Sequence, residues 1–197
     1  TATAGRAMIR DLGAGPALPT TFDVRTAFDF AVSLASEVGQ HDELPSEDRL
    51  WLEKARAALP ERVRPAVDDE TCIMGAGLTI DRSDVTDAAS YVRALGESTG
   101  GEFAQIVLAD TLRHAEQSAV VQAAMDGDRD AVERMLQDWP EHKRGWLRRL
   151  LDDADGLLDE VRDAMAAWLP LYQEIEPRVQ AIIARDVELR SGELATL

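Results

Sequence analysis

The side chains able to do chemistry in this chain are few and scattered. Three histidines, His41, His114 and His142, and a single cysteine, Cys72, are its only imidazole and thiol groups. Metal hydrolysis needs H-E-x-x-H or a close carboxylate-histidine cluster, and a di-iron bundle needs Glu-x-x-His on two helices; none of the histidines stands in either pattern. Asp110 and His114 lie one helical turn apart, where a carboxylate can orient an imidazole for a metal. A lone pair of this kind is ordinarily a helix-face contact, and no metal is expected. Cys72, in ETCIMG, has no candidate base nearby in sequence and reads as a core thiol rather than a nucleophile.

Phosphate and acyl chemistry fare no better. Gly13-Ala14-Gly15 and Gly75-Ala76-Gly77 have no preceding strand and no following lysine motif, so they read as hinges and not as a phosphate cradle. No serine occupies a nucleophile-elbow pattern. Carboxylates are so abundant that no Asp/Glu pair stands out as an acid-base dyad. The expectation is a non-enzymatic chain that needs no cofactor.

Aromatic residues are the better lead. Trp51, Trp139, Trp146 and Trp168 carry most of the large aromatic area. Together with Tyr172 they either pack the core or line a pocket for a small apolar ligand, since such pockets are apolar with one polar handle. The expected pocket set is Trp139, Trp146, Trp168 and Tyr172. Trp168 and Tyr172, one turn apart, would face the cavity with Trp139 or Trp146 opposite.

These residues must be held by helices. The composition is rich in Ala, Leu, Glu, Arg and Asp and poor in β-formers, which predicts an all-α, multi-helix bundle. Residues 1–20, with Gly13, Gly15, Pro16 and Pro19, are expected to form a flexible N-terminal arm, and residues 21–197 one helical domain. Val24, Ala27, Phe28, Ala31, Ala35 and Val38 recur at steps of three and four, predicting a first amphipathic helix with Asp29 and Ser33 on its polar side. Phe30 and Leu34 widen its apolar stripe, so this helix is either central to the bundle or, through Phe30 and Leu34, part of a homodimer interface.

A second helix is predicted from Glu47 to Leu59, capped by Ser46 and ended by Pro60. The next segment should be a short helix or turn broken by Pro65. Further helices should open at Ser83 and run through GEFAQIVLADTLRHA, and two more should meet at Gly127 with Asp128 as a cap. The last part is the most regular: Leu158, Val161, Met165, Trp168, Tyr172, Ile175, Val179 and Ile182 keep one seam. Pro170 and Pro177 interrupt it on the opposite face, so the expectation is a long, proline-bent C-terminal helix.

The formal charge of −16 repels phosphate backbones, whose binding depends on Lys and Arg displacing counterions, so this chain should not contact nucleic acid itself. One cysteine permits no internal disulfide. With apolar runs far below the roughly 20 residues that span a bilayer, no membrane partner is expected and a cytoplasmic location is.

Three segments carry a family resemblance. FDFAVSLASEV supplies Asp29, Phe30, Ser33 and Leu34; the second helix supplies Trp51, Arg56, Leu59 and Pro60; LPLYQEIEPRVQAIIARD and the residues before it supply Trp168, Tyr172, Glu176 and Pro177. In this order they resemble the N-terminal helical region of ArsR-like bacterial transcriptional regulators. The resemblance implies an effector-sensing or dimerising body for a winged helix-turn-helix domain, which does not lie within these residues. The metal-sensing cysteines of better-known ArsR proteins are absent, so metal sensing is not carried over. The alternative is a stand-alone acidic helical adaptor for a basic protein partner.

Overall fold

The computed structural model describes residues 24–34, 46–68, 71–111, 119, 122–123, 126–137 and 141–194. They form an all-α bundle, with no strand among them. The helices are α1 (Ala27–Val32), α2 (Ser46–Ala58), α3 (Arg64–Asp68), α4 (Leu78–Asp81), α5 (Ala88–Glu97), α6 (Gly100–Thr111), α7 (Arg129–Met135), α8 (Glu141–Asp152), α9 (Ala154–Tyr172) and α10 (Glu176–Leu194). Short 3₁₀ segments cover Glu61–Val63 and Thr71–Gly77. The expected N-terminal arm, residues 1–20, lies outside the described residues.

Helix α9 is the axis of the bundle, packed on α3, α5, α6, α8 and the Thr71–Gly77 segment. The five seam residues Leu158, Val161, Met165, Trp168 and Tyr172 are all completely buried, as their spacing requires. Asp153 starts the helix by accepting the Gly156 amide at 2.9 Å. Pro170 lies inside it, but the expected single long helix is two: a turn at residues 173–175 separates α9 from α10, and Pro177 falls in the first turn of α10, where its missing N–H costs nothing.

Local chemistry moves other boundaries in the same way. Helix α1 starts at Ala27 and not at Val24, because the Thr26 and Ala27 amides donate to the Thr86 carbonyl at 2.9 and 3.3 Å. Helix α5 opens at Ala88 rather than Ser83: Asp87 and Ser90 form a reciprocal capping box that the sequence reading overlooked. Pro65 does not break its segment but sits in the first turn of α3. Gly127, at φ +73°, and Asp128, whose carboxylate accepts the Ala131 amide at 2.9 Å, join the helices where expected.

Gly75 is a packing residue and not a hinge, since a β-carbon there would run into the Tyr91 hydroxyl. Phe30 and Leu34 also need correcting as interface residues: both are completely buried within the single chain. Phe30 packs edge-on against Tyr91 and Tyr172, with ring centroids 5.6 and 5.0 Å away. The wide stripe of α1 is therefore central to the bundle, the other branch of the expectation.

Candidate ligand-binding site

The two aromatic residues at the C-terminal end of α9 have polar tips, and both tips meet α1. Trp168 Nε1 donates to Ser33 Oγ at 2.8 Å, and the Tyr172 hydroxyl donates to Asp29 Oδ2 at 2.6 Å. Positions 168 and 172 are one turn apart, as are 29 and 33, so the two antiparallel helices match rung for rung. Ser33 passes the contact on by donating to the Phe30 carbonyl at 2.7 Å. Trp51 on α2 approaches the Trp168 ring with centroids 5.7 Å apart. Arg56, also on α2, reaches the Ser33 carbonyl at 3.5 Å, with Asp68 as a charge neighbour.

In front of this ladder lies a pocket of about 340 Å³. Asp29, Ser33 and Tyr172 line one side, Trp51 and Leu52 of α2 another, and Val179, Ile182 and Ile183 of α10 close it. The apolar seam of α9 thus continues on α10, past the turn at 173–175, as a cavity wall instead of core; Ile182 is 58% exposed. At the mouth, Arg178 holds Asp48 at 2.9 Å and Glu47 at 2.9 Å.

Burial pushes the Asp29 carboxyl above its ordinary range, against the opposing pull of the Tyr172 hydrogen bond. Burial, followed by the adjacent Asp29 charge, pushes the Tyr172 phenol up, so it remains a protonated donor. The arrangement offers an apolar slot with one carboxylate at its base and no evident nucleophile.

A second, more polar cavity of about 360 Å³ lies between Thr26, Asp87 and Glu176. Its carboxylates already serve the fold: Glu176 Oε1 accepts from Thr26 Oγ1 at 2.6 Å and from the Ala88 amide at 2.9 Å, and Asp87 caps α5. This cavity is a by-product of the anchoring of α10.

Of the pocket residues expected from sequence, Tyr172 lines the cavity and Trp168 is fully buried directly behind it. Trp146, on α8, packs against the core and does not line this pocket, and Trp139 lies outside the described residues. The ring that meets Trp168 is that of Trp51. Sequence reasoning missed Asp29, Ser33 and Arg178 as site residues; the matched spacing of two polar residues on α1 and two polar-tipped aromatics on α9 was the available signal.

His41 and His114 lie outside the described residues, as do the side chains of Asp110 and His142. Among the described residues no group of three His, Cys, Asp or Glu could hold a metal, and no helix is long and apolar enough to cross a membrane. Cys72 is fully buried in the hydrophobic core. Comparison of the chain with protein-family models, curated proteins and solved structures finds no match in any of the three.

Proposed function

We propose that this chain is a non-enzymatic, ligand-sensing helical domain whose effector enters the pocket between α1, α2 and α10. The observation that carries this reading is the pocket itself: its size suits a small molecule, its walls are mostly apolar, and its polar groups form two small sets, Asp29, Ser33 and Tyr172 on one side and the paired Asp48 and Arg178 at the mouth. Sensing follows from the wall composition. Helix α10 joins the body through a three-residue turn, the Glu176 contacts and the half-exposed Arg178 pairs to Glu47 and Asp48 of α2, so a ligand bridging α2 and α10 adds an apolar contact to that surface pairing and tightens their relative position.

Within the resemblance to ArsR-like regulators, such a domain would pass ligand occupancy along α10 to a DNA-reading domain elsewhere, and would work as a homodimer that sets the spacing of two readers. The acidic surface favours this division of labour, because the sensing body itself repels the duplex. An adaptor for a basic protein uses the same acidity but gives the pocket no role.

Filling the pocket tests the proposal. A thermal-shift screen of small apolar molecules should yield ligands that raise the melting temperature of the wild type by mass action. The same ligands should lose their effect on Val179→Trp, which places an indole in the cavity. Ligands that stabilise both proteins equally would place binding elsewhere and contradict the proposal.

A further inference from the structure

The pocket's charges point to a ligand class, on the footing that the pocket is the effector site. Three ionisable groups other than Tyr172 line it: Asp29, Asp48 and Arg178. Arg178 is already held by both Asp48 and Glu47, so the cation at the mouth is more than balanced by acids. Arg56, a cation on α2, is directed at the Ser33 carbonyl and lies beside Asp68. The Asp29 carboxylate, at the inner end, has a neutral partner, the Tyr172 hydroxyl.

A part-buried carboxylate facing an apolar cavity is costly unless a positive group compensates it. We propose that the ligand is a lipophilic cation, a protonated amine on an apolar body, with Asp29 as its counter-charge. Tyr172 fills one side of the carboxylate and fixes its orientation, which leaves the other oxygen for an ammonium hydrogen. Trp51 lines the same pocket, and an indole there adds cation–π attraction for an ammonium group. Val179, Ile182 and Ile183 accept the apolar body. An anionic ligand would meet Asp29 and Asp48 at once, and a neutral one would leave Asp29 uncompensated. The chain's net charge of −16 also raises the local concentration of cations.

Calorimetric titration with three molecules of one shape tests this: para-butylbenzylamine, the corresponding benzyl alcohol and the corresponding benzoate. The amine should bind at least about tenfold more tightly than the alcohol, a modest margin for a part-buried charge pair. The benzoate should bind weakest. Asp29→Asn keeps an acceptor for Tyr172 and should bring the amine down to the alcohol's affinity. Glu160→Gln, the same charge change outside the pocket, should leave the preference intact. In the wild type, added salt should weaken the amine and not the alcohol, a readout that needs no variant. Equal binding of amine and alcohol, or an amine preference surviving in Asp29→Asn, would overturn the cation assignment while leaving the pocket in place. No binding by any of the three would contradict the pocket reading and the cation assignment together.

Discussion

Helix α9 carries two polar clusters, one toward each end, and they use their charge differently. Toward its N-terminus, Asp155 accepts the Gly100 amide at 2.8 Å and starts α6, while Arg162 donates to the carbonyls of Leu95 and Ser98 at 2.9 and 2.5 Å and closes α5. Each side chain caps backbone groups at helix ends, which would otherwise lack partners, and Arg162 is further balanced by the exposed Asp159 at 2.7 Å. Toward its C-terminus, Trp168 and Tyr172 hold the side chains of Ser33 and Asp29, and in front of them lies a cavity. A charge committed to backbone caps is structural, whereas a charge held in place by a neutral neighbour and facing a cavity is still available to a ligand.

Substitutions that strain this contrast should act with graded strength. Trp168→Ala removes a completely buried indole and should cost about 3–5 kcal/mol in denaturant unfolding, the range for large aromatic deletions. It would also enlarge the cavity from behind. Arg162→Ala should cost roughly 1.5–3 kcal/mol, the range for hydrogen bonds to charged groups, with ligand affinity unchanged. A change in ligand affinity there would erase the distinction between the two clusters.

Tyr172→Phe should have a smaller effect on folding, roughly 1–2 kcal/mol, because it strips the part-buried Asp29 of its donor while keeping the ring against Phe30. In this variant a cationic ligand should be retained, since the carboxylate remains. Asp29→Asn should act on pH dependence. The folded-state carboxyl is raised by burial, so its contribution to stability is fully present below the ordinary carboxylate range and declines as pH rises through its higher folded value. Burial sets this shift against the Tyr172 hydrogen bond, and Asp48 and Arg178, already paired with each other, are the other charged groups lining the pocket. Wild type minus variant melting temperature should therefore fall between acidic and neutral pH, with the variant matching or exceeding the wild type at neutrality. A difference that grows with pH would reverse the assigned sign. Arg149→Ala, which breaks a half-exposed pair with Glu160, should leave both melting and binding unmoved.

The sequence made some of this readable. The α9 seam was legible because a 3.6-residue period leaves a mark whatever it packs against, and all five of its residues from Leu158 to Tyr172 are buried. The continuation through Ile175, Val179 and Ile182 carried the same mark, yet the chain turns at 173–175 and those residues become a pocket wall. Periodicity records which face is apolar, not what covers it. The start of α1 was illegible for a related reason, since it is set by the Thr86 carbonyl far along the chain. Likewise Asp29 and Ser33 looked like a solvated polar face until α9 supplied their partners.

The position of a bound amine separates the pocket from every other surface of the bundle. Intermolecular nuclear Overhauser effects between bound para-butylbenzylamine and the protein would show this without any substitution. The prediction is contacts from the butyl chain to the methyl groups of Val179 and Ile183, and from the ring to the Trp51 indole. Contacts confined to the Thr26, Asp87 and Glu176 cavity, or to the α5 and α6 surface, would contradict it.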